Sequence, residues 1–204
     1  MQSKTLSKQT LLLVVVLSGL TLFIALLLYF IPKNSVQSSS AMLFENVVAL
    51  PKQEQASVKL PVRLKIPSIN VDAPVEYVGL TSDGAMDVPK GPVNVAWFNL
   101  GPRPGETGSS VIAGHYGWKN NIPAVFDNLH KIRKGDKIYI ENGKGAIITF
   151  VVREIRTYSK DEAAPDVFGS SDGKAHLNLI TCTGVWNKAE KTRSERLIVF
   201  TDKE

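Results

Sequence analysis

Cysteine is nearly missing from this chain of 204 residues: Cys182 is the only one, so no internal disulfide can form. Basic clusters are missing too. The formal net charge is +5, Lys4 and Lys8 lie in the N-terminal tail, and no run of Lys or Arg interleaves with aromatic residues. That pattern leaves no electrostatic footprint for nucleic acid; the surplus suits solubility and some attraction to an anionic cell envelope. No internal repeat or low-complexity tract occurs, and the strand-like segments lack the spacing of βαβ units. What remains is a chain with 44% hydrophobic residues, enough for one folded domain plus accessory segments.

The first accessory is apolar. No charged residue lies between Thr10 and Ile31, a stretch that reaches the ~20 residues a spanning helix needs. Tyr29 and Phe30 fall near its far end, where amphipathic rings suit the headgroup region. With Lys4 and Lys8 ahead of it and no acidic residue within 1–9, the positive-inside rule predicts a cytoplasmic tail over 1–9. A transmembrane signal-anchor helix is then expected over 10–31, in a single-pass protein of the cell membrane whose remainder is extracytoplasmic. The alternative is a cleaved signal peptide ending near Ser39-Ser40-Ala41; the apolar core exceeds the roughly 7–15 residues of such a segment, which favours the anchor. Residues 32–60 turn to Asn, Ser, Gln, Lys and Glu and read as a stalk. Its apolar interruption, Met42-Leu43-Phe44 and Val47-Val48-Ala49-Leu50, either packs on the domain as helical turns or pairs with nothing.

A folded domain is expected over 61–204. Val62 to Ile66 alternates apolar and polar, Val71 to Leu80 is a strand region interrupted by Pro74, and Ser82-Asp83-Gly84 marks a turn before a short extended piece, Ala85 to Pro89. Asn94 to Phe98 and Ser110 to His115 read as strands on either side of a Gly- and Pro-rich loop. The one helical candidate is Ala124 to Ile132, with Val125, Leu129 and Ile132 spaced for one face. Lys137 to Glu141 and Ala146 to Tyr158 form a hairpin about Asn142-Gly143-Lys144-Gly145, and Ser159 to Gly173 reads as loop. The final strands are Ala175 to Ile180 and Arg196 to Thr201. The order predicts a mainly β fold, an antiparallel sandwich or barrel of about eight strands with one or two short helices.

The chemistry-bearing residues gather at strand ends. Cys182 follows the strand Ala175 to Ile180, Arg196 opens the next one, and His115 closes the run Val111-Ile112-Ala113-Gly114. An imidazole can take the proton of a thiol and return it to a leaving amine, and a guanidinium can hold a carbonyl and the oxyanion formed on attack. The competing reading of Cys182 is a small buried hydrophobe. His130 sits among polar residues and reads as solvated. His176, six strand positions from the thiol, is ~20 Å away at 3.3 Å per residue and a poor partner. Arg193 competes with Arg196 but lies among Lys188, Glu190, Lys191 and Glu195, a solvated charge cluster.

Leu179-Ile180-Thr181-Cys182, Arg196-Leu197-Ile198-Val199 and Ala113-Gly114-His115 together resemble the catalytic signature of sortases, the membrane-anchored cysteine transpeptidases of bacterial surfaces. Asn178 stands where that family usually has Thr, which leaves the three catalytic types in place. The resemblance extends from about Val62 to the C-terminus. It implies a single closed eight-stranded β-barrel and a reaction in which Cys182 cleaves an LPXTG-like sorting signal between Thr and Gly. His115 would be general acid and base, Arg196 would hold substrate and oxyanion, and an amine of a peptidoglycan precursor or a pilin would resolve the thioacyl enzyme. The implied partners are exported proteins with an LPXTG-like C-terminal sorting signal. Thr181, Thr183 and Trp186 are candidate substrate-binding residues, and Tyr116 and Trp118 candidates for a hydrophobic groove; plain packing is the alternative for each.

No cofactor is expected. A Ca²⁺, known for some sortases, would need Asp161, Glu162, Asp166 and Asp172 to converge, and nothing in the sequence shows that they do. Two enzymatic alternatives fit poorly: the L,D-transpeptidase pattern has His-Gly before its Cys, where Ile180-Thr181 stand here, and papain-like enzymes place Cys before His. A third alternative is an inactive anchored barrel that only binds peptide. The chain ends soon after its last strand, and its stalk has no Asp-Pro-aromatic motif, so wall attachment is expected over pilin polymerisation.

Overall fold

The computed structural model describes residues 60–204, and the expected tail, anchor helix and nearly all of the stalk lie outside them. Eight strands close on themselves: β1 (Pro61–Ile66), β2 (Val71–Val78), β3 (Val95–Phe98), β4 (Gly108–Gly114), β5 (Lys137–Asn142), β6 (Ile147–Ser159), β7 (Ala175–Asn187) and β8 (Thr192–Lys203). Around the barrel they run β1-β2-β3-β4-β7-β8-β6-β5. The absence of βαβ spacing predicts a wholly antiparallel barrel, and the structure differs: β2 pairs parallel with β3, and β4 with β7. An irregular segment, 79–94, links β2 to β3, whereas the connection from β4 to β7 carries β5 and β6, so neither pair is a βαβ unit.

The inward face of each strand builds one core. Leu64 and Ile66 of β1, Val95 and Trp97 of β3, Ile112 of β4, Leu177 and Leu179 of β7, and Leu197 and Val199 of β8 meet inside. At about 25 cal/mol per Å² of apolar surface, such side chains contribute roughly 1.5–3 kcal/mol each before chain entropy is counted. A second, smaller cluster lies outside the barrel, where Val111, Ile198 and Phe200 are roofed by Val167 of the one-turn helix α1 (Pro165–Phe168).

Pro74 does not break β2. It is the last β2 residue in register with β1, opposite Arg63, and from Val75 onward the strand pairs with β3. A residue without an N–H is tolerated where a strand changes partners. The expected helix over 124–132 does not form: only a 3₁₀ turn, Leu129–Lys131, appears there. The apolar residues there act as plugs, with Phe126, Leu129 and Ile132 fully buried. The helix that does form, α1, falls in the segment read as loop, because Pro165 opens a single turn too short to show periodicity. β7 and β8 also run past the expected ends, to Asn187 and from Thr192, as one long hairpin.

Candidate functional site

Strand register carries three distant sequence positions into one row. Cys182 of β7 is directly opposite Arg196 of β8. On the other side, β4 runs parallel to β7 with Ala113 beside Ile180, so His115, two residues on, reaches the level of Cys182. Side chains two apart share a face, and Leu179, Thr181 and Leu197 point inward. His115, Cys182 and Arg196 therefore stand side by side on the outer face, all half-buried. One row below, Ala113, Ile180 and Ile198 form the apolar floor.

Local sequence fixes each member. Gly114 precedes His115 because a Cβ there would lie 2.4 Å from Phe126 Cδ2; only glycine lets that ring close under the strand end. The Phe126 amide also donates to the His115 carbonyl. The imidazole itself packs edge-on against Trp118, with ring centroids 4.6 Å apart, and its Nε2 lies 2.7 Å from the Pro89 carbonyl oxygen. Beside the cysteine, buried Thr181 donates its hydroxyl to the Gly114 carbonyl at 2.8 Å, stitching β7 to the end of β4. Gly184 has φ +77° at the bulge that follows Thr183, and a Cβ on it would meet Ser194 Oγ at 2.4 Å.

Arg196 folds its guanidinium back on its own strand. Nη1 donates to the carbonyls of Arg193 (3.0 Å) and Glu195 (2.9 Å), and Nη2 to Thr192 Oγ1 (3.1 Å). All three acceptors are neutral, and among the described residues Arg196 forms no ion pair, so its charge is not cancelled at the row. Arg193 was expected to be merely solvated. Instead it donates to the Gly184 carbonyl at 2.8 Å and lies over the Tyr116 ring at 4.6 Å, linking the residue after His115 to the β7–β8 hairpin. Its charged neighbours in sequence hid this, since the pairing of Arg193 with Trp186 across β7 and β8 has no local signature.

The other candidates are dispersed. Thr183 is half-buried on the face opposite Cys182, and Trp186 is 50% exposed near the hairpin tip, opposite Arg193. His130 is exposed, its Nδ1 beside the Asp127 carbonyl. His176 is buried at the far end of β7 between Asp172 and Asp202, each 2.9 Å from a ring nitrogen. Asp161, Glu162, Asp166 and Asp172 engage separate partners: Lys160, the Ser159 amide, Arg156 with Tyr158, and His176. Among the described residues no cluster suited to a metal ion is found. Nothing in the sequence marks Asn94, which precedes Val95, the β3 residue paired with Gly114, and donates to Glu76 Oε1 at 2.6 Å.

Strand register thus lines up a thiol, an imidazole and a guanidinium without an ion pair on the outer face of a closed barrel. The model of the Sortase domain matches residues 64–204, and the chain belongs to the sortase family. Among solved structures it is similar to a lid mutant of sortase A from Corynebacterium diphtheriae, at 25% identity and TM-score 0.56, over 71% of this chain and 70% of that one. Sortase C-1 from Actinomyces oris is 27% identical with TM-score 0.56, over 84% and 92%. The complex of Streptococcus agalactiae sortase C1 with MTSET is 27% identical with TM-score 0.54, over 70% and 66%. Comparison with curated proteins returns no match.

Proposed function

We propose that this sortase cleaves an LPXTG-like sorting signal between Thr and Gly and passes the acyl group to an amine of a peptidoglycan precursor or a pilin. The observation behind the reading is the single row of His115, Cys182 and Arg196. His115 takes the thiol proton, and Sγ attacks the threonine carbonyl carbon, forming an S–C bond and an oxyanion. Arg196 faces that oxyanion: a guanidinium has five N–H donors, and its three contacts leave the remainder free. Collapse breaks the Thr–Gly C–N bond, with the proton returning from His115 to the departing amine. The acceptor amine then attacks the thioester, gives its proton to His115, and releases Cys182 as the new amide forms.

An extended signal peptide suits an outer sheet face. Trp186, exposed on the β7–β8 hairpin, borders the substrate path, whereas Thr183 faces away from Cys182 and Thr181, with its hydroxyl occupied, holds the cysteine in place. The uncharged stretch over 10–31 anchors the protein in the cell membrane with the barrel outside, where exported, membrane-retained substrates arrive. The absence of an Asp-Pro-aromatic motif in the stalk favours wall attachment of proteins over pilin polymerisation. Transfer of an LPXTG-like peptide to an amine acceptor should vanish in Cys182→Ala; a variant that still transfers would sink the reading.

A further inference from the structure

Glu76 of β2 lies outside the row and in none of the motifs, yet it is connected to the row's imidazole through one peptide group. The Pro89 carbonyl that meets His115 Nε2 at 2.7 Å and the Lys90 amide belong to the same peptide unit. That amide donates to Glu76 Oε2 at 3.0 Å. No cis peptide bond occurs among the described residues, so the C=O and N–H of this unit point in opposite directions, one at the imidazole and the other at the carboxylate. The other carboxylate oxygen, Oε1, accepts from Asn94 Nδ2 at 2.6 Å. Asn94 and His115 each flank the paired residues Val95 and Gly114, so both ends of the link adjoin neighbouring strands of the same sheet.

The electrostatics give the link a direction. A carbonyl oxygen only accepts, so the short contact requires the proton on His115 Nε2 and leaves Nδ1 as the free base. A carboxylate on the far side of the peptide polarises its carbonyl, and hydrogen bonds in such chains reinforce one another. The Asn94 amide, then the Lys90 N–H and the charge of Lys90, hold the Glu76 carboxyl below the usual range against the opposing effect of its partial burial. It is therefore an anion when the enzyme works. Pro89 is buried, and its ring fixes φ, one of the two torsions that place its carbonyl.

We propose that Glu76 is a positioning residue for His115, acting through the Pro89–Lys90 peptide to hold the imidazole as its Nε2–H tautomer, with Nδ1 free to take the thiol proton. Its role parallels that of the acid in a Ser-His-Asp triad, with a peptide group interposed. The inference rests on His115 being the acid–base residue of the proposed reaction, and its test separates the two.

The full chain in detergent would be labelled with ¹⁵N at histidine, and the ring of His115 identified by the signals lost in His115→Gln. Long-range ¹H–¹⁵N correlations should show wild-type Nε2 protonated and Nδ1 bare. Glu76→Ala should move both nitrogens toward the averaged values of a tautomer mixture, and Glu76→Gln, which keeps an acceptor for the Lys90 amide, should lie between. Thioacyl formation from an LPXTG-like peptide should fall about 10-fold in Glu76→Ala, in the range of partners that orient a histidine from behind, in kcat with KM unchanged. Wild-type ring signals in both variants would overturn the proposal, even if the variants were less stable. A wild-type protein that forms no thioacyl product would overturn the reaction instead, and the ring signals would still decide the role of Glu76.

Discussion

At the scale of single residues, the site depends on two small groups that do no chemistry. Gly114→Ala places a methyl within 2.4 Å of the Phe126 ring, and overpacking of this kind costs about 1–3 kcal/mol. The denaturation midpoint should fall accordingly. Turnover should fall further than stability predicts, because the displaced backbone carries His115. Thr181→Val keeps the shape of a buried side chain but removes its hydrogen bond to the Gly114 carbonyl, a loss of about 1–3 kcal/mol if that carbonyl goes unpartnered. Arg196→Lys keeps the charge and loses the fork. With neutral acceptors on three sides, the shorter ammonium cannot hold both its own strand and an oxyanion, and kcat/KM should drop by about 10²–10³-fold with the fold intact, as circular dichroism would show.

At the scale of elements, the strands were legible wherever alternation or β-branched runs were strong, as in Val62 to Ile66, Lys137 to Glu141 and Arg196 to Thr201. What stayed hidden was how they pair. Nothing local in Gly108–Gly114 or Ala175–Asn187 says that they run parallel, yet that pairing alone brings His115 level with Cys182. Over 124–132, three apolar residues at helical spacing also suit an irregular plug: Phe126 fills the space under Gly114, and successive tight turns bury Leu129 and Ile132. Glu76 and Asn94 were invisible for a related reason, since polar residues in strands carry no signature until a loop folds over them. At the opposite end of β7, His176 ties the 170–174 turn and β8 together. His176, and after it the Lys174 amide and Ser170 hydroxyl, hold the Asp172 carboxyl well below the usual carboxylate range. A carboxylate lowered on folding stabilises the fold above its unfolded value, about 4, and that contribution is lost as pH falls through the folded value. The urea midpoint should therefore decline below about pH 4, and less steeply in Asp172→Asn. The difference should be small, because Asp172 is open to solvent.

At the scale of the whole molecule, the barrel is a frame whose closure holds the row rigid. β8 is hydrogen-bonded to β7 on one side and β6 on the other, so the strand carrying Arg196 cannot slide without opening the sheet. The small outer core under α1 secures the same face, with Asn178 donating to the Val167 carbonyl at 2.7 Å. A free thiol on such a frame should be alkylated selectively in the native state, since Cys182 is half-exposed. The most direct measurement is the intact mass of the full chain in detergent, incubated with a panel of LPXTG-like peptides and no added amine. The account predicts an adduct on Cys182 equal in mass to a peptide truncated after threonine, absent in Cys182→Ala. Unmodified protein with every peptide, while the same thiol alkylates freely, would contradict it.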